Sequence, residues 1–293
     1  MDPRPPVWTG LSADEHEFHY NPQRAFPNFQ DYQTIRAEPN ARARTTLRSE
    51  LDIPYGDHPL RRLDVFMAAE AGAPVHLFLH GGYWRAQDKV NFAFVADLFV
   101  RNGITAVVAN YELGPASTLD GVADSALASM EWVLREIGRF GGDPRRVSVS
   151  GHSAGGHLGA EILAADWGAR GLDPAAITGA VLISGIFDPA PTMLTTVDAQ
   201  LNLTPEIVAR RNVEARPPLV RCTVALAVGG LEPWQWIDQS YRYSHHLHRH
   251  GYDPEVHVLP GWNHFDILAQ YLDDESPIAR MCLRLARPEA AAR

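Results

Sequence analysis

The chain is poor in the features that would mark a disulfide scaffold, a zinc module, a membrane protein or a nucleic-acid binder. Its 293 residues hold two cysteines, Cys222 and Cys282. That is too few for a disulfide framework or a cysteine zinc site, and a reducing, cytoplasmic setting is expected. No stretch reaches the ~20 apolar residues of a membrane span. The opening Met1-Asp2-Pro3-Arg4-Pro5-Pro6 lacks the apolar run of a signal peptide. Basic residues are outnumbered, 26 Lys and Arg against 35 Asp and Glu, for a formal charge of −9. Such a balance gives no general attraction to nucleic acid or anionic membrane. There is no H-E-x-x-H pattern and no internal repeat. The partner left by these exclusions is a small neutral or locally selected molecule, with a homodimer as an open expectation.

What is present is enough apolar residue, 45%, for one large α/β domain. Residues 1 to about 46 read as an N-terminal cap segment, where Pro22, Pro27 and Pro39 interrupt any long helix and one helix is expected near 27–37. Two alternating runs, Leu47 to Ile53 and Leu60 to Phe66, flank the turn Pro54-Tyr55-Gly56-Asp57 and predict an antiparallel hairpin. Buried-type strands follow at Val75–Leu79, Ile104–Ala109, Val147–Ser150, Ile177–Ile183, Thr223–Val228 and Glu255–Leu259, with helices predicted over about 89–102, 120–139, 234–250 and from Phe265 onward. That alternation predicts a mostly parallel sheet with helices on both faces. Residues 47–293 are expected to form this domain, with a Pro-interrupted lid insertion at about 187–218.

The chemistry concentrates at the carboxyl ends of these strands. Gly151-His152-Ser153-Ala154-Gly155 follows a strand and opens a helix, the setting in which G-x-S-x-G exposes a serine nucleophile. The N–H of Ala154 then faces a developing oxyanion. His80-Gly81-Gly82-Tyr83-Trp84 ends another strand, and its paired glycines let Gly82 and Tyr83 offer further backbone N–H groups. A serine is a weak nucleophile without an imidazole to take its proton, and the imidazole needs a carboxylate to hold its tautomer. Ser153, Glu232 and His264 lie at three strand ends in the chain order Ser, acid, His of the α/β-hydrolase arrangement. Asp188 and Asp238 compete with Glu232 for the acid. Asp266 reads as a solvated charge at a helix start.

The thirteen histidines otherwise read as structural. His245, His246, His248 and His250 form a tract in which His246 and His250 have the spacing of metal ligands, but without a second cluster a solvated helix face is expected and no metal. His152 and His157 border the elbow without sitting where the base belongs. Aromatic residues near the strand ends, Tyr83, Trp84, Phe187, Trp234 and Trp262, with Phe18 and Tyr20 of the N-terminal segment, are candidates to hold a flat apolar substrate.

The combination of H-G-G-x-W at His80 to Trp84, Gly-His-Ser-Ala-Gly at 151–155, the late His264-Phe265, and Leu51-Asp52-Ile53-Pro54-Tyr55-Gly56 before Leu63-Asp64-Val65-Phe66 resembles the kynurenine formamidase (arylformamidase) family of α/β-hydrolases. The resemblance runs from about Tyr20 to the last helix. It implies hydrolysis of N-formyl-kynurenine or another aryl formamide, amide or ester without a cofactor, by Ser153, Glu232 and His264. The chain departs from that family in carrying glutamate where its acid is usually aspartate. A broad-range carboxylesterase is the alternative within enzymes, and a ligand-binding receptor on a hydrolase scaffold the alternative outside them.

Overall fold

The computed structural model describes residues 8–287, so the first seven residues of the expected cap segment lie outside the described ones. Its strands are β1 Ser49–Pro54, β2 Arg62–Phe66, β3 Ala73–Leu79, β4 Thr105–Ala109, β5 Gly142–His152, β6 Ile177–Ile183, β7 Thr223–Gly229 and β8 Glu255–Leu259. They form one sheet in the order β1-β2-β4-β3-β5-β6-β7-β8. The β1–β2 hairpin is antiparallel and β2 also runs antiparallel to β4, while the remaining neighbours are parallel. Strand alternation puts successive side chains on opposite faces, and here both faces are apolar. Val75, Leu77, Val149, Leu182, Leu226 and Val228 enter one core. Phe78, Val181, Ile183, Ala225 and Ala227 enter the other.

Helices α1 Ala13–Tyr20, α2 Pro22–Ala25 and α3 Phe29–Thr46 precede the sheet. Helix α3 runs through Pro39, where the sequence had suggested an interruption. A proline removes one helical hydrogen bond, and tertiary anchors hold the rest of the helix. Asn40 Oδ1 accepts the Phe94 N–H at 3.2 Å, and Arg44 Nη1 reaches Asp64 Oδ2 at 2.8 Å. Helices α4 Ala93–Arg101 and α9 Pro277–Ala286 cover one face. Helices α5 Leu119–Glu136, α6 Ala154–Ala164 and α8 Trp234–Arg249 cover the other. After Phe265 the chain makes a 3-10 turn, Asp266–Leu272, before α9, in place of one continuous helix. Within 187–218 lie two 3-10 turns and α7 Pro205–Arg211. Among the described residues no helix is long and apolar enough to cross a membrane.

Candidate active site

Strand β5 delivers Ser153 into a conformation that a side chain seldom adopts, φ 56° and ψ −117°. The flanking glycines make the bend feasible. A Cβ on Gly151 would lie 2.1 Å from the Gly155 carbonyl oxygen, and one on Gly155 would lie 2.0 Å from that of Leu79. No side chain fits at either place, so α6 can begin directly behind the serine and against the end of β3. The Ser153 N–H donates to the Ile183 carbonyl at 2.8 Å, which ties the elbow to β6.

The loop leaving β7 carries Glu232, and its two carboxylate oxygens have separate partners. Oε1 accepts the Ser184 hydroxyl at 2.5 Å and the Gly229 N–H at 2.8 Å. Oε2 accepts from His264 Nδ1 at 2.7 Å. Both residues are buried. With the proton on Nδ1 directed at the carboxylate, Nε2 of His264 keeps its lone pair for a proton acceptor's task. The ring of Trp236 meets His264 edge-on at 4.7 Å, and its indole N–H donates to the Ser184 carbonyl at 2.7 Å. His152 Nε2 donates to the His264 carbonyl at 2.8 Å. Burial first, then the neighbouring His264 and Arg36, hold the His152 pKa well below the usual histidine range, which keeps that ring neutral.

The competing acids have other partners. Asp188 caps Ala190 and Asn212, and Asp238 pairs with Arg242 at 2.8 Å. Asp266 differs from its expected role as a solvated charge: it is half-buried and braces the turn before His264, accepting from the Asn263 N–H at 2.6 Å and Nδ2 at 2.8 Å. In the histidine tract, His246 Nε2 donates to the Arg216 carbonyl and His250 Nδ1 to the His246 carbonyl. Among the described residues no group of three or more His, Cys, Asp or Glu is arranged to hold a metal ion.

Beside the elbow, the His80–Trp84 loop takes left-handed backbone at Gly82 (φ 120°), Tyr83 (φ 55°) and Trp84 (φ 57°). A Cβ on Gly82 would strike the Ala86 carbonyl oxygen at 2.1 Å. Among the described residues the N–H groups of Gly82, Tyr83 and Ala154 donate to no protein acceptor. The Tyr83 hydroxyl donates to the Tyr20 carbonyl at 2.6 Å and lies 3.1 Å from Thr192 Oγ1.

Ser153, His264, Gly82 and Tyr83 line one cavity of about 80 Å³. Of the aromatic candidates, Tyr83 alone belongs to its wall. Trp84 is buried edge-on against His157, and Phe187 is buried in a stack on Tyr243 at 4.2 Å. Tyr20 is buried behind Tyr83 and contributes its carbonyl. Trp262 packs against the α4 and α9 core, while Trp234 and Phe18 are exposed. Sequence reasoning missed the residues that do form the wall. Phe29, Gln33 and Arg36 come from α3, with Pro22 and Gln23 from α2 and Phe265 from the residue after His264. Positions 29, 33 and 36 follow helical spacing on one face and fall within the helix expected near 27–37, so this signal was already present in the sequence.

A parallel sheet with a serine elbow and a carboxylate–imidazole pair at its strand ends defines a hydrolase scaffold, and the family comparison agrees. Residues 76–267 match the alpha/beta hydrolase fold family, and the chain belongs to it as an enzyme of that class. Within the class, the chain is similar to kynurenine formamidases. It is 28% identical to that of Danio rerio over 95% of this chain and 98% of the relative, and 28% identical to that of Salmo salar over the same shares. Among solved structures it resembles a candidate thioesterase from Silicibacter sp., with a TM-score of 0.80 and 22% identity over 91% of this chain and 98% of that one. An esterase from Pyrobaculum calidifontis superposes with a TM-score of 0.71 at 18% identity over 89% and 92% of the two chains.

Proposed function

We propose that this chain is a cytoplasmic serine hydrolase that cleaves a small aryl formamide, amide or ester through an acyl-enzyme, with N-formyl-kynurenine as the model substrate. The observation that carries the reading is the Glu232–His264 hydrogen bond opening into the same cavity as the elbow serine. The formamidase relatives, aligned over nearly the whole chain, support the choice of bond.

In this reading Ser153 Oγ adds to the substrate carbonyl and its proton passes to His264 Nε2. Glu232 stabilises the imidazolium so formed. The N–H groups of Ala154, Gly82 and Tyr83 hold the oxyanion. Collapse breaks the carbonyl bond to the leaving nitrogen or oxygen, which takes the proton from His264. Water, deprotonated by the same imidazole, then attacks the Ser153 acyl ester, releases the acid and restores the serine. Tyr83 on the cavity wall leaves little room beside the reacting carbonyl, which favours formyl and acetyl groups over long acyl chains.

The test is turnover of N-formyl-kynurenine and of phenyl acetate by wild type, Ser153→Ala and His264→Ala. Each variant is expected to lose at least ~10⁴-fold in kcat while melting like wild type. Near wild-type kcat in a folded Ser153→Ala protein would overturn the assignment.

A further inference from the structure

The cavity wall carries a charge, that of Arg36, with no ion-pair partner among the described residues. Arg36, on α3, is 7% exposed, and its side chain curls back one turn so that Nε donates to the Tyr32 carbonyl at 2.9 Å. That carbonyl is the guanidinium's one protein acceptor among the described residues, and the buried Nη1 has none. The group lies over the faces of Phe92 and Phe94, 5.8 and 5.7 Å from the ring centroids. Those contacts leave the edge of the fork unused. Burial lowers its pKa to about 10, so the group stays charged at neutral pH.

A buried cation without a carboxylate partner is costly, and the rest of the wall does not relieve it. Asp and Glu are missing from the residues that line the cavity, while a second arginine, Arg85, sits at the wall with its buried Nε unpartnered. The Arg85 fork is occupied by the side-chain oxygens of Gln200 and Gln23. In a chain with a net charge of −9, the described lining of this cavity thus carries arginines and no carboxylate.

We propose that Arg36 is the anion-recognition residue of the active site and that it pairs with a carboxylate on the group that leaves, such as the one the kynurenine moiety of the model substrate carries. The planar fork pairs with a carboxylate through two parallel N–H···O bonds. Gln33, one turn earlier on the same wall, adds an amide donor beside it. The aromatic ring between carboxylate and scissile bond would rest against Phe29 and Phe265. This subsite rests on the hydrolase reading for its substrates, although not for its affinity for anions.

The experiment compares 3-acetoxybenzoate with 3-acetoxybenzamide, equal in shape and differing in charge, at constant ionic strength. Wild type is expected to favour the benzoate by about 10–100-fold in kcat/KM, the range for a hydrogen bond to a charged group. Arg36→Met, which retains the stem over Phe92 and Phe94, should erase that ratio, and Arg36→Lys should retain part of it. Equal turnover of the two esters by wild type, or equal losses on both in Arg36→Met, would overturn the subsite. Should Arg36→Met not fold, the ratio in Arg36→Lys decides, and a ratio unchanged from wild type counts against the proposal. Calorimetric binding of benzoate and benzamide to the Ser153→Ala protein separates the two readings. Arg36-dependent binding of benzoate without turnover of either ester by wild type would sink the hydrolase and leave the anion site standing.

Discussion

At the scale of single residues, Glu232 shows how one side chain is fixed for a task. Its Oε1 is satisfied from two donors, Ser184 and Gly229, and its Oε2 faces the His264 N–H. All three neighbours donate, so only a group that accepts on both oxygens fits. In Glu232→Gln the amide nitrogen must oppose either His264 or the Ser184–Gly229 pair, and both orientations put donor against donor. The expected result is a loss of 10²–10⁴-fold in kcat/KM. If Asp188→Asn or Asp238→Asn did greater harm in the same assay, the acid would lie elsewhere. These residues were legible in sequence because strand ends, glycines and chain order are local signals. The lining was not, because whether an aromatic ring faces a cavity or a core depends on partners far away in the chain. Trp84 turns into the interior on a left-handed backbone, and its burial against His157 comes from the packing of α6. Arg36 looked like any basic residue on a polar helix until α3 was seen to pack over the strand ends.

At the scale of elements, the elbow is a contact between a helix start and two strand ends. The Gly155 Cα lies against the carbonyl oxygens of Leu79 and His80, where a methyl would need 2.0 and 2.6 Å. Both obstacles are backbone, which cannot rotate aside. Gly155→Ala should therefore push α6 from β3 and displace Ser153, giving an unfolded protein or one with kcat lowered by more than ~10³-fold, since misplacement by about 1 Å already costs ~10². A well-folded Gly155→Ala protein with full activity would show that the elbow tolerates a wider bend. Strands were the most legible elements, because a doubly covered parallel sheet writes itself as short apolar runs. Helix α3 was read too short, since Pro39 is a strong local signal and its override by Asn40 and Arg44 is a tertiary effect.

At the scale of the molecule, buried titratable groups shape the pH dependence of stability. Burial is the largest cause of depressed pKa values at His76, His80, His152 and His157. These rings stay neutral in the fold and take up protons in the unfolded chain below its histidine pKa of about 6.5. Stability should therefore fall as pH drops from about 6.5 toward 4. Glu214 has the opposite sign. Burial pushes its pKa up to about 8, Arg242 opposes, and Asp188 and Asp238 add to the rise. Its protonated form is favoured by the fold, so its contribution is present below the unfolded value of about 4.5 and is lost as pH rises through 8. Urea titrations from pH 5 to 9 should give a maximum near neutrality, and Glu214→Gln should flatten the alkaline side. A wild-type curve level from pH 5 to 9 would contradict both assignments.

The first and last parts of the chain meet at the reaction cavity. Phe265 sits among Phe26, Phe29 and Tyr32, and Asn263 Nδ2 donates to the Tyr32 hydroxyl at 2.9 Å. A molecule in the cavity touches α2, α3 and the His264 turn together, so it acts as mortar between segments that the sequence holds more than two hundred residues apart. Occupancy is thereby coupled to how firmly the amino-terminal helices stay down. Trypsin, which needs a locally loosened stretch around an exposed residue such as Arg24, should cut more slowly when benzoate fills the cavity. The enzyme at work would then be harder to degrade than the enzyme at rest.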